Sequence, residues 1–200
     1  MSLLNSLKNR YKGWDGELTV KLMQWWYLDK KTYHVFNNVT LPNFGGGTTQ
    51  IDHIIVSVYG IFVIETKNMN GWIYGKEKEP TWTQVFFKKK YTFPNPLRQN
   101  YKHTKSISEL LKIPEDKFHS IIFFIGDDCV LKAKMPENVL LKGYTKYIKN
   151  KTEKILTEKK VSTIVEGITA YKLPSSFKTK RAHINHVKNI KENKSQTKPL

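Results

Sequence analysis

The sequence predicts one α/β (α+β) domain in the order helix, three antiparallel strands, helix, strand, with accessory strands and a C-terminal helix. Three observations predict it. Residues 51–67, IDHIIVSVYGIFVIETK, read as two apolar strands joined by a tight reversal at Tyr59-Gly60. Asn95-Pro96 pairs a good helix N-cap with proline at the first helical position. His119–Ile125 is a short, nearly all-apolar run, the pattern of a strand buried on both faces. A length of 200 residues fits one domain of ordinary size, and 39% hydrophobic with 12% aromatic residues is enough to bury a core.

Each element follows from its local chemistry. The first helix is expected over Asp15–Tyr27, with Asp15 as N-cap and Leu18, Leu22 and Trp25 or Trp26 as an apolar stripe. Tyr33–Leu41, rich in β-branched and aromatic residues, reads as a strand. Phe44–Gln50, FGGGTTQ, resembles a phosphate cradle only superficially. No Gly-Lys-Ser/Thr follows it and a strand rather than a helix comes next, so it reads as a loop between strands. After the hairpin, Asn70-Gly71 turns the chain into one or two short accessory strands over Trp72–Tyr91. The second helix runs from the Asn95 cap to about Lys112, and Pro114 stops it. Its expected buried stripe is Leu97, Tyr101, Thr104, Ser108 and Leu111, widened by Ile107 and Leu110. A further strand is expected near Asn138–Leu141, and a last helix over Glu158–Tyr171 with Val161, Ile164, Val165 and Ile168 on one side.

The charge narrows the function. Lys and Arg number 34 against 17 Asp and Glu, a net +17. A field that positive favours polyanions, and nucleic acid is the expected partner. The single cysteine, Cys129, excludes an internal disulfide and a thiolate metal cluster. The histidines show no metal-ligand spacing, and Asp127-Asp128 reads as a solvated turn. No stretch reaches the roughly 18 apolar residues of a membrane span, and the N-terminal apolar part is too short for a secretory signal. The expectation is a cytoplasmic protein that does not use a membrane.

The hairpin carries the chemistry. With Tyr59-Gly60 as its loop, Val58 pairs with Ile61, Asp52 lies opposite Lys67, and Glu65 is diagonal to Asp52. All three charges then project from one face. Two carboxylates and an amine among Ile, Val and Phe are costly to bury, and a small divalent cation would relieve the repulsion between the acids. Oxygen ligands suit Mg²⁺ or Mn²⁺. Such an ion grips a phosphate oxygen and acidifies bound water, while Lys67 would orient that water or stabilise charge growing at phosphorus. The tripeptide pattern E-x-K occurs four times, starting at Glu65, Glu115, Glu158 and Glu192, but only the first ends an apolar strand with an Asp facing it. The accessory aromatics Trp72, Tyr74 and Trp82 either stack bases or pack a small sheet.

An Asp and an E-x-K on one hairpin, within helix, three strands, helix and strand, resemble the PD-(D/E)XK nuclease superfamily and its restriction-endonuclease-like core. More narrowly, the sequence resembles the NERD (nuclease-related) domain. The matching pieces are Gly16-Glu17, Gln50-Ile51-Asp52-His53, Gly60 to Lys67, Gly71-Trp72-Ile73, Trp82, Asn95-Pro96-Leu97-Arg98-Gln99 and His103. Ile51 stands where the superfamily motif has Pro. The resemblance implies a metal-dependent nuclease acting on DNA with low sequence specificity. The alternative is a non-catalytic nucleic-acid-binding module that retains the fold. Asp52 and Glu65 would be metal ligands, the Thr66 carbonyl a third, and Lys67 the catalytic lysine. Glu17 would add a carboxylate to the site, and Gln99 would fix Lys67 or contact DNA. His103 shares a helix face with Gln99 and would have a structural or DNA-contact role. His53 points to the opposite sheet face from Asp52. The expected organisation is an extension over residues 1–11, the nuclease-related domain over 12–174, and a basic tail over 175–200 with seven basic residues and one acidic.

Overall fold

The computed structural model describes residues 27–43 and 46–174, together with Val20 and Gln24. Of the helix expected over Asp15–Tyr27, Val20, Gln24 and Tyr27 are helical and the rest lies outside the described residues, as does the basic tail. The elements are β1 (His34–Pro42), β2 (Thr48–Ser57), β3 (Gly60–Lys67), β4 (Gly71–Tyr74), β5 (Thr81–Phe86), β6 (Lys89–Pro94), α1 (Pro96–Leu111), a 3-10 turn (Glu115–Lys117), β7 (Phe118–Phe124), β8 (Cys129–Leu131), β9 (Val139–Leu140), α2 (Tyr144–Lys149) and α3 (Glu158–Tyr171). They form an α+β fold with two sheets. The larger has the order β1-β2-β3-β7-β9 and the smaller β6-β5-β4-β8. β1, β2 and β3 run antiparallel, whereas β7 is parallel to β3 and β9 is parallel to β7.

Alternation along β3 sorts the core. Ile61 and Val63 enter a cluster with Ile107 of α1 and Val161, Ile164 and Ile168 of α3. Phe62 and Ile64 enter the cluster on the other face, with Val20, Leu28, Ile121, Tyr144 and Ile148. Successive strand side chains point to opposite faces, so Glu65 and Lys67 continue the face that α1 covers. The smaller sheet closes its own core around Trp82, which is fully buried, lies 6.3 Å from the Phe124 ring in a stacked arrangement and donates from Nε1 to the Lys76 carbonyl. Trp82 is therefore a packing residue and is not available to bases.

α1 begins as its sequence predicts. The Asn95 side chain accepts from the Leu97 N–H at 2.9 Å, while its Nδ2 donates to the carbonyls of Glu77 at 2.9 Å and Glu79 at 2.7 Å. One capping residue thus ties the helix start to the smaller sheet. The buried face is rotated from the expected stripe. It holds Asn100, His103, Thr104 and Ile107, and Tyr101 is 53% exposed. The rotation has a polar cause: Asn100, fully buried, donates from Nδ2 to Val63 O and Ser120 Oγ, each at 2.8 Å, across the β3–β7 junction. An apolar stripe cannot register that pull.

The hairpin register also differs. Ser57 pairs with Gly60, so the loop is Val58-Tyr59 rather than Tyr59-Gly60. Gly60 has φ +123° and belongs to β3. A Cβ there would lie 2.9 Å from the His119 ring, so only glycine lets that ring pack. The Val58 carbonyl, freed by the loop, accepts from the N–H groups of Ile155 at 2.9 Å and Leu156 at 3.0 Å. By this register Asp52 falls opposite Glu65, not Lys67, although the paired ladder stops at His53 and Ile64. No helix among the described residues is long and apolar enough to cross a membrane.

Candidate active site

The site forms where three elements meet: the end of β3, the middle of β2 and the first turns of α1. Glu65 is 3% exposed, although it follows four apolar residues of a central strand. Two side chains hold it, and a third holds one of them. Lys67 Nζ lies 2.5 Å from Oε1, His103 Nε2 lies 3.3 Å from Oε2, and Lys67 Nζ also donates to Gln99 Oε1 at 3.0 Å. Gln99 and His103 are one helical turn apart on α1, so both reach the same strand face. A carboxylate partner requires the His103 ring to present its N–H through Nε2, which leaves Nδ1 to accept from the Thr49 hydroxyl at 2.7 Å. Thr49, His103, Glu65, Lys67 and Gln99 thus form a continuous polar chain in an otherwise apolar sheet.

Asp52 enters differently from the expected common face. Phe36, Ile54 and Val56 pack in the same core as Val39, Leu41 and Ile51. Residues of opposite parity cannot share a face in a regular strand, so both β1 and β2 reverse their alternation on either side of Asn38 and Asp52. Asn38 has φ +53°, and Asn38 and Asp52 are skipped in the β1–β2 pairing. At this kink Asp52 turns its carboxylate to β3, where Oδ2 accepts from the Thr66 N–H at 2.8 Å and the Thr66 hydroxyl at 2.7 Å. The Asp52 side chain replaces the ladder hydrogen bond that the splayed strands no longer make.

The electrostatics of the two acids diverge. Burial pushes the Asp52 carboxyl above its ordinary range, and the Glu65 charge adds to the push, against the Thr66 donors and the Lys67 charge. Burial also acts to raise Glu65, but the hydrogen bond from His103 and the charge and hydrogen bond of Lys67 outweigh it and hold that carboxyl low. The Asp52 carboxylate is therefore the less stabilised of the two, and a nearby cation would stabilise it. Two carboxylates are a hard-oxygen donor set of the kind Mg²⁺ accepts while keeping several waters. Among the described residues no three His, Cys, Asp or Glu side chains gather as a metal cluster, and Glu17 lies outside the described residues.

The structure brings together Asp52, Glu65, Thr66, Lys67 and Gln99 of the expected set. His103 and Thr49 add to it. The spacing of His103 from Gln99 signalled its position, and nothing in the strand pattern signalled Thr49. His53 faces away and meets Asn37 Oδ1 at 2.6 Å. Asp127-Asp128 is an exposed turn.

No solved structure matches the chain. A protein of Bacillus anthracis that carries only the description uncharacterized is 52% identical over 103 residues, a stretch covering 52% of this chain and 48% of that protein. The chain thus spans about half the length of that relative. The family described as nuclease-related domain matches residues 12–125, a span holding every residue of the polar chain. With more than half of its length so matched, this chain belongs to the nuclease-related domain (NERD) family.

Proposed function

We propose that the protein is a metal-dependent nuclease that hydrolyses phosphodiester bonds of DNA with low sequence specificity. The observation that carries the reading is the placement of Lys67. Its ammonium is held between a buried carboxylate, Glu65, and a helix amide, Gln99, at the end of a central strand. A lysine fixed on both sides points its charge at one place, which is what stabilising a phosphorane-like transition state requires.

Asp52 and Glu65 would hold Mg²⁺ or Mn²⁺, with the Thr66 carbonyl as a further oxygen and Glu17 as an added carboxylate. The bound ion would polarise a phosphate oxygen and lower the pKa of a water. Lys67 donates to the phosphate oxygens as their charge grows, or holds the attacking water. Gln99 keeps the amine from collapsing wholly onto Glu65. His103 and Thr49 fix the Glu65 carboxylate in one orientation, so that little reorganisation accompanies the reaction. The net +17 charge supplies sequence-independent attraction to the phosphate backbone.

The test is incubation of the full chain with plasmid and linear DNA under Mg²⁺ or Mn²⁺. Cleavage is expected, stopped by chelation, and reduced by Lys67→Ala by about 100-fold or more, the scale of removing one transition-state donor. No cleavage under any divalent metal, or a Lys67→Ala variant as active as the parent, would overturn the proposal. DNA binding without turnover would instead identify a module that keeps the fold and not the chemistry.

A further inference from the structure

The smaller sheet has one face against the core and one face open. Trp72 and Tyr74 of β4 alternate with fully buried Ile73 and are 49% and 37% exposed. The pairing places them in two rows. Trp72 lies between Val130 of β8 and Val85 of β5, and Val85 pairs with Lys90 of β6. Tyr74 pairs with Thr83, which pairs with Thr92. Directly paired side chains share a face, so the open face holds two aromatic rings with aliphatic, hydroxyl and lysine neighbours and no acidic residue in either row. Lys132 sets its Nζ 4.5 Å from the centre of the Trp72 ring. At the β5–β6 tip, Phe87 is 83% exposed with φ +44°, a conformation that a bulky residue adopts reluctantly, and Lys88, Lys89 and Lys90 follow it.

We infer that this face is a stacking platform for single-stranded nucleic acid, which delivers an unpaired strand to the site at the end of β3. Nucleic acid as partner rests on the function proposed above, and the single-stranded form rests on the face itself. Residues two apart along a strand are separated by roughly 6.6 Å. That exceeds the rise of about 3.4 Å per nucleotide along one strand of a duplex, so only a strand whose bases have left their own stack can cover both rings. A four-stranded sheet with exposed aromatics is also one of the ways in which proteins hold unpaired bases. Lys90 at the end of the Trp72 row and Lys132 over the Trp72 ring match the charge of the backbone such bases carry. A protein partner would gain from the apolar area but not from this one-sided charge. The route to the site is short. β4 starts four residues after Lys67, and β8 starts five residues after β7 ends. Where the chain leaves β3 and β7 for β4 and β8, the Ile125 N–H bonds the Lys67 carbonyl at 3.0 Å and the Gly71 N–H bonds the Asp128 carbonyl at 3.0 Å.

The experiment measures binding by fluorescence anisotropy, in chelator and on a Lys67→Ala background, so that no turnover is involved. The probes are a roughly 20-nucleotide oligothymidine and a blunt duplex of equal length. Combined Trp72→Ala and Tyr74→Ala are expected to weaken oligothymidine binding by about 10-fold or more, since each base loses its ring. Duplex binding, held by phosphate contacts, should change by less than about 2-fold. Trp72→Phe with Tyr74→Phe should restore the single-strand affinity to within about 3-fold of the parent. Equal loss on both probes, no loss on oligothymidine, or no oligothymidine binding by the parent would overturn the platform. The proposed nuclease function fails separately: a protein that binds through the rings and never cleaves refutes the chemistry and keeps the platform. One that cleaves and binds without regard to the rings does the reverse.

Discussion

Asp52 and Glu65 lie on adjacent strands, yet protonation affects them in opposite senses. Asp52 has a folded-state pKa above the unfolded value, so the folded protein holds its proton more tightly. Its contribution to stability falls as pH rises from the ordinary carboxylate range through the raised value, and the penalty is complete above that value. Glu65 is depressed, so its stabilisation is present at neutral pH and is lost as pH falls through its lowered value. Asp52→Asn keeps an oxygen for the Thr66 donors and removes the buried charge. In chelator at about pH 7 it should melt higher than the parent, the difference should shrink toward about pH 4, and cleavage should be abolished. A variant that melts lower at neutral pH would show that the charged hydrogen bonds to Thr66 outweigh burial. His103→Ala leaves Glu65 with Lys67 as its remaining side-chain partner, and a loss of about 10–100-fold in cleavage is expected, the usual scale for a group that orients a ligand carboxylate. Binding of DNA in chelator should be unchanged. Glu65, Lys67 and Gln99 were legible as neighbours because strand alternation and helical spacing are local rules. Thr49 was not, because the rule reverses between it and the hairpin, and the cause of the reversal is the backbone at Asn38 on another strand.

At the scale of elements, caps and runs of apolar residues were the reliable signals. α3 occupies the expected Glu158–Tyr171, with Thr157 capping it by accepting from the Lys160 N–H at 3.2 Å. The Asn95 cap and the β7 strand were equally plain. What escaped were β8 and α2, elements of three and six residues, of which β8 pairs along the outer edge of a sheet already formed; β9 falls within the strand expected near Asn138–Leu141. Pairing of that kind follows from tertiary contact rather than from propensity. The hairpin loop was misplaced by one residue because Tyr-Gly resembles a turn, whereas the glycine is required by the ring of His119 some sixty residues away. One end of α1 stores a correctable strain: Lys112 caps the helix in the left-handed region, φ 51° and ψ 50°, and is exposed. Glycine is the usual residue there. Lys112→Gly should stabilise the protein by about 1 kcal/mol, raising the melting temperature by roughly 2–4 °C. A lower melting temperature would show that the lysine makes a compensating contact.

For the whole molecule, charge dominates. With a net +17, neutralisation of six to ten phosphates would make DNA affinity fall by about 1,000-fold or more between roughly 50 and 200 mM salt. A shallow salt dependence in a titration would show that the excess lysines do not contact the backbone. The chain residues 175–200 contribute seven basic groups and one acidic, so ending the chain at Pro174 should reduce that slope.

β3 lies in the interior of the larger sheet, antiparallel to β2 on one side and parallel to β7 on the other. A strand bonded on both edges cannot peel away singly; it comes free only when the surrounding sheet dissolves. The amine and the buried acid that it carries therefore keep their separation until the fold itself is lost, and heat would not first loosen the chemistry and then the scaffold but end both in one cooperative step.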